Sequence, residues 1–502
     1  MARKLIKTAM LVTFLSVLAR ILSFLFRIYL SRTIGAESLG VYQIALSVFF
    51  LFCTLTAGLP LTVSRKTAEL SVINKKDGEK SLVSSALLIG ISISASIVLI
   101  LYLCSNYISF LFSDERCLPL FLILLPSCIS TSIYGIIRGW FWGNKNFTVF
   151  SLTEFFECIV RISLGILLVS GVIAGAGGAY GTALSFTIAD VLCTVVLCIL
   201  FVVYGGKLSR PNRIKEVVKI ATPLTAVRLY NSLVNSLIAI IVPARLIACG
   251  MQNDLAVTEY GRVMGMAIPL LLSPSTLTGA IATILVPELA SLKASNNIGE
   301  LKRKSENSIV LSILCAFLFL VVFLPLGKEI GILFYNDEKA GIYISFASFL
   351  MIPMSISGIT STMLDSLGLE LKTMRNFVIS SIVMLILLYF TPPISGVYSI
   401  AIGLSASYIT TSILNLISLK KVLSVSAKKV LEVLFSVGIT SGVCSYGAIF
   451  IKNLTKGLPI FFNICIPSIF SVLFYLIFIV LYGYIDISFI PRRKKSREKI
   501  ST

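Results

Sequence analysis

The chain has 502 residues, 57% of them hydrophobic and 13% charged, with a mean hydropathy of +0.96. So little polar side chain cannot cover a water-facing surface, which excludes a soluble globular protein. Lys and Arg number 43 against 23 Asp and Glu, a net charge of +20, and histidine is absent; this excludes His-ligated metal sites and HExxH-type proteases, and in so apolar a chain the basic partner is the anionic inner leaflet of a membrane, not nucleic acid.

About 14 apolar runs of ~20 residues follow one another, each long enough to cross a hydrocarbon core of ~30 Å. The links are short and period-2 alternation is absent, so a β-barrel is excluded. The expected architecture is an all-α polytopic membrane protein with about 14 transmembrane helices. Its first run contains LARILSFLFRIYLSR (18–32), too interrupted by Arg20 to be a cleaved signal peptide. Thr13, Ser16, Arg20, Ser23 and Arg27 fall at alternating steps of three and four, and therefore on one helix face. Two helical turns, roughly 10 Å, separate the two arginines. Charged side chains in a bilayer face a bundle interior or a wet cavity, and guanidinium forks bind phosphate oxygens. Arg20 and Arg27, with Ser16 and Ser23, are therefore expected to line an anion-binding cavity. The competing arrangement pairs Arg20 with Asp190 and lets Arg27 reach the outer interface.

Between the fourth and fifth runs lies RGWFWGNKN (138–146). The fifth run carries Ser151, Glu154, Glu157 and Arg161; Glu157 and Arg161 form an i,i+4 ion pair. Glu154 is left without a helical cation partner, to pair with Arg20, line the cavity or couple to an ion. Asp190, in the sixth run, is the other deep carboxylate, and either acid could take a proton or Na⁺. The seventh run offers amides, Asn231 and Asn235, at the level of the span 1 arginines, with Arg228 nearer the cytoplasm. In the eighth, Pro269 and Pro274 free backbone carbonyls that Ser273 to Thr278 can satisfy, a candidate gating kink. Eleven cysteines without a CxxC read as small core residues.

The basic residues sort by topology. Arg65, Lys66, Lys75, Lys76 and Lys80 fall in the second link, Arg138 and Lys145 in the fourth, Lys207 to Lys219 in the sixth, and a basic run closes the chain at PRRKKSREK. The positive-inside rule then puts both termini in the cytoplasm. The tail reads as an anchor to anionic inner-leaflet lipids.

The chain also repeats itself. SIYGII at 132–137 returns as SISGIT at 355–360, an offset of 223, and GGAYGTALSFTIAD at 177–190 as SGVYSIAIGLSASY at 395–408. Two six-span lobes follow, 1–206 and 207–424, with two further spans and the basic tail in 425–502. An even number of spans gives both lobes the same orientation, so they should be pseudo-symmetric and rock about a cavity by alternating access.

LSRTIGAESLGVYQIA, GLPLTVSRKTAEL and IIRGWFWGNKNFTVFSLTEFFECIVRI together resemble the stage V sporulation protein B family, within the multidrug/oligosaccharidyl-lipid/polysaccharide exporter (MOP) superfamily. The resemblance covers essentially the whole chain. It implies a flippase of the bacterial cell membrane that carries an undecaprenyl-diphosphate-linked, lipid II-like sugar precursor outward for spore peptidoglycan, without enzymatic chemistry or a cofactor. Lipid II flippases carry arginines in the span matching Arg20 and Arg27, at a spacing one residue shorter. Arg262 is the approximate counterpart of their span 8 arginine. Their span 2 arginine has no counterpart at Leu51–Phe52–Cys53. Two other readings are a multidrug cation antiporter of the same fold, which needs an acidic cavity, and a membrane-embedded glycan polymerase, which needs larger outer loops than SNYISFLFSDER or GMQNDLAVTEYG. The sequence sets no oligomeric state, and a monomer suffices.

Overall fold

Long apolar runs leave the backbone one way to satisfy its polar groups in lipid, and the computed structural model follows it: helices, with no strand among the described residues (2–72, 76–170 and 177–484). The basic tail lies outside them. In chain order the helices are α1 (Ala2–Cys53), α2 (Gly58–Val72), α3 (Lys76–Leu103), α4 (Ser105–Ile108), α5 (Cys117–Leu124), α6 (Ser127–Gly143), α7 (Phe147–Val169), α8 (Gly178–Val203), α9 (Ile214–Ala248), α10 (Asn253–Tyr260) and α11 (Ile268–Leu271). Then come α12 (Ser275–Ala294), α13 (Ile298–Tyr335), α14 (Glu338–Ala347), α15 (Met351–Ser366), α16 (Glu370–Phe390), α17 (Pro392–Ser395), α18 (Ser399–Leu423), α19 (Ala427–Leu454) and α20 (Ile460–Leu481).

Length and composition give 11 membrane-crossing helices among the described residues, or up to 12 if a bent pair, α5 with α6, is one span. Fourteen requires two further choices. The continuous stretch Met10–Ser71 must count twice, and α7, with its three charges, must count as a span.

Packing divides the chain into two units. The first holds Met1–Leu270, Phe334–Asn336 and Phe377–Ser407, the second Leu271–Leu333, Asp337–Asn376 and Tyr408–Thr502. These bounds differ from the repeat-based lobes because α9 packs against α1, α2 and α3. Where α9 meets α2, the Gly58 amide donates to Thr225 Oγ1 (3.2 Å).

Within the first unit α1 turns at Gly35, whose φ of 75° and ψ of 173° suit glycine and strain other residues. Beyond the turn the helix runs against α10 so closely that a Cβ on Gly40 would overlap the Val257 carbonyl. A knot of charge sits beside this seam. Arg116 donates from Nε (3.0 Å) and Nη2 (2.6 Å) to the two oxygens of Asp114, from Nη1 to Glu37 (2.5 Å) and from Nη2 to Asp254 (3.0 Å). A core of Leu59, Val63, Leu82, Ile136, Phe141 and Leu197 joins α2, α3, α6 and α8. Here the RGWFWGNKN segment ties the end of α6 to α3, because Trp140 Nε1 and Asn144 Nδ2 (2.9 Å) both donate to Glu79.

The second unit is built on Leu285, Ile309, Ile313, Val321, Met363 and Tyr475, with the Tyr475 hydroxyl donating to the Leu314 carbonyl (2.9 Å). Buried Asn376 and Asn415 bond each other (2.9 Å), and Asn415 donates to Ser361 and Thr360. The 223-residue offset of the sequence repeat also relates helices. Adding it to α6 and α7 lands on α15 and α16 to within about two residues, as helix-boundary assignment allows. Large side chains such as Phe435, Tyr446 and Leu481 stay exposed, as expected where the solvent is lipid.

Candidate functional site: an arginine-lined cavity

The polar stripe of α1 opens onto a cavity of about 570 Å³ inside the first unit, lined by Ser16, Arg20, Ser23, Arg27, Tyr42, Gln43, Arg138, Glu154, Glu157, Cys158, Arg161 and Phe186 among others. Two contacts hold α7 against that stripe. Gly165 leaves room for the Phe26 ring, which a Cβ would overlap, and Cys158 Sγ lies 3.4 Å from Ser23 Oγ and 3.5 Å from the Ala19 carbonyl. Helical period on α1 and close packing of α7 thus place four guanidinium groups and two carboxylates around one space.

Those charges are unequally partnered. Glu157 pairs with Arg161, the expected i,i+4 bridge. Arg161 also lies over the Phe186 ring (4.6 Å). Glu154 pairs with Arg138 Nη2 at 3.1 Å, and Arg138 lies over Phe150 (3.9 Å). Arg20 and Arg27 make no hydrogen bond or ion pair among the described residues. With both acids engaged, four arginines against two glutamates leave a formal charge of +2. A space so lined attracts anions and repels organic cations.

The sequence expectations divide at this point. Arg20, Arg27, Ser16, Ser23, Glu154, Glu157 and Arg161 come together in the cavity. Glu154 takes Arg138, across the tight turn between α6 and α7, in place of Arg20. Asp190 is not the partner of Arg20 either: it is buried, accepts from the Ser130 and Thr131 (3.1 Å) hydroxyls, and stands outside the cavity lining. Arg228, Asn231 and Asn235 are exposed on α9 and are not among the residues lining this cavity; Asn231 bonds its own helix at the Val227 carbonyl (3.0 Å). Arg262 pairs with Glu259 (2.6 Å) and is likewise outside the lining.

Pro269 and Pro274 do mark a broken helix. A π-helical turn, Gly261–Ala267, precedes α11, and Pro274 caps the start of α12. Ser275, Thr276 and Thr278 hydroxyls return to the carbonyls of Leu272, Ser273 and Ser275. Arg138 is the residue the sequence reading misplaced, counting it with the fourth link. It lies inside α6. The signal was its near-symmetric position with Glu154 about a three-residue turn, which puts the two side by side on a helical hairpin. Among the described residues no three His, Cys, Asp or Glu side chains gather as a metal site.

Residues 5–293 match the family described as Polysaccharide biosynthesis protein. The chain belongs to that family. It is 26% identical over 431 residues to stage V sporulation protein B of Bacillus subtilis (strain 168), covering 82% of each chain. Its fold matches a lipid II flippase, MurJ, in an inward closed conformation, with TM-score 0.74 at 18% identity, over 94% of this chain and 99% of that one. It also matches an inward-facing multidrug resistance MATE transporter of the MOP superfamily, with TM-score 0.69 at 14% identity, over 81% and 94% of the two chains. The chain is thus a multi-pass membrane protein that shares its fold with these two proteins, and none of these relatives is named as an enzyme.

Proposed function

We propose that this protein is a flippase for an undecaprenyl-diphosphate-linked sugar precursor, lipid II-like in plan, moved from the inner to the outer leaflet by alternating access. One observation carries the reading: Arg20 and Arg27 face a cavity in which both carboxylates are already paired with other arginines. A diphosphate offers both the charge and the oxygens that two free guanidinium forks take. A cation antiporter would need unpaired acids in that position. Likeness to a lipid II flippase in fold, and to a sporulation protein in sequence, supports a lipid-linked glycan destined for the spore envelope. The same reading takes 14 spans with both termini in the cytoplasm of a bacterial inner membrane, lobes at 1–206 and 207–424, a gating bend at Pro269 and Pro274, and a basic tail on anionic lipid. Asp190, buried with two hydroxyl donors, is its candidate for proton or Na⁺ coupling.

The test is a fluorescent undecaprenyl-diphosphate disaccharide in proteoliposomes, scored for movement between leaflets. Wild type should move it, and Arg20→Gln with Arg27→Gln should not, while both insert in the membrane. Efflux of a cationic dye without lipid movement would overturn the proposal.

A further inference from the structure

The two ion pairs of the cavity are built differently. Glu157 and Arg161 sit on the same helix, and the Glu157 side chain is 18% exposed. Glu154 and Arg138 come from different helices, meet through one nitrogen at 3.1 Å, and leave Glu154 44% exposed in the cavity wall. The Arg138 cation is held mainly by other means. Phe150 covers it at 3.9 Å and the Tyr134 ring lies 5.4 Å away. Its Nε, like that of Arg161, is buried and has no hydrogen-bond partner. The cation is therefore fixed with a donor unused, and its carboxylate is the more accessible and more loosely held member.

We propose that Arg138 is a third anion ligand of this cavity and that Glu154 is a built-in competitor for it, displaced when a diphosphate enters. The inference rests on the anionic-substrate reading above and adds its selectivity. A membrane holds a large excess of phospholipids bearing a single phosphate. A monoanionic phosphodiester brings too few charged oxygens to engage Arg20 and Arg27 and also take Arg138 from a carboxylate. A diphosphate, with more charge and more oxygens, does both. Glu154 thus sets a threshold that keeps ordinary anionic lipid out.

The experiment measures binding of farnesyl diphosphate, with phosphatidylglycerol as competitor, to the purified full-length protein in detergent. Removing the competitor in Glu154→Gln should tighten farnesyl diphosphate roughly tenfold and let phosphatidylglycerol compete, the scale of one charge-assisted contact. Arg138→Gln should weaken binding by a similar factor, and the gain from Glu154→Gln should vanish in the double variant. Arg138→Lys, which keeps the charge without the planar fork, should lose part of the preference for diphosphate. If the Glu154→Gln gain persists without Arg138, or Arg138→Gln binds like wild type, the competitor role is overturned. Arg20→Gln and Arg27→Gln separate the two levels. Unchanged binding in these overturns the anion cavity itself, whereas weakened binding with no Arg138 effect overturns only the present inference.

Discussion

Arg116→Gln tests whether the charge knot beside Gly40 holds the first unit together. Its three carboxylates are not equivalent. Glu37 and Asp254 are exposed, so each contributes at most ~1 kcal/mol. Asp114 is 3% exposed and takes three side-chain bonds from Arg116, so removing the guanidinium strands a buried carboxylate. Breaking a fully buried pair costs about 3–5 kcal/mol. Two features lower that figure here: Arg116 is itself 45% exposed, and its backbone amide still donates to Asp114 (2.9 Å). A loss of about 2 kcal/mol is expected. The assay is thermal unfolding in detergent of Arg116→Gln, Asp114→Asn and the double variant. The double variant leaves no buried charge, so it should be more stable than Arg116→Gln alone. Additive losses in the double variant would refute the stranded-carboxylate reasoning. The same pair predicts a pH effect. Burial alone would raise the Asp114 carboxyl, but the Arg116 hydrogen bonds outweigh it and hold it below the ordinary carboxylate range. A depressed folded value stabilises above the unfolded pKa of about 4 and is lost as pH falls through the folded one, so wild type should lose stability below about pH 4 and Asp114→Asn should lose less.

Gly40→Val should separate α1 from α10, because its side chain would occupy the place of the Val257 carbonyl; a cysteine pair introduced at 37 and 254 should then cross-link more slowly than in the parent. Trp140→Phe removes one of two side-chain donors to Glu79 and should cost about 1–3 kcal/mol, read as a lower unfolding temperature. Asp190→Asn should leave farnesyl diphosphate binding within about twofold, since the residue lies outside the cavity lining, and should abolish any dependence of lipid movement on an imposed proton or Na⁺ gradient. An unchanged gradient dependence would remove Asp190 from that role.

Local order is what the sequence made legible. Ser16, Arg20, Ser23 and Arg27 were readable as one face because helical period is a property of a single segment. Glu157 with Arg161 followed from the same rule. Glu154 with Arg138 did not, because the pairing is made by the close return of α7 along α6, and an i,i+4 rule sees one helix at a time. Asn231 and Asn235 share the depth of the span 1 arginines, but which way their helix is rotated is set by the packing of α9 on α1 and α2 and not by depth. The number of spans also turns on backbone geometry. Whether Met10–Ser71 is one helix or two depends on a single φ angle at Gly35, which hydropathy does not record.

The surplus of two positive charges in the cavity has an electrical consequence. A lipid diphosphate carries about two negative charges near neutral pH, so the loaded protein would present a nearly neutral cavity and the empty one a cationic cavity. Voltage then acts mainly on the return journey. At ~2.3 kcal/mol per charge per 100 mV, an inside-negative potential would draw the empty cavity back toward the cytoplasm by several kcal/mol, if it moved through the full field. The membrane potential would then help to reset the cycle beside an ion coupled at Asp190, and the rate of lipid movement would rise with voltage at fixed substrate.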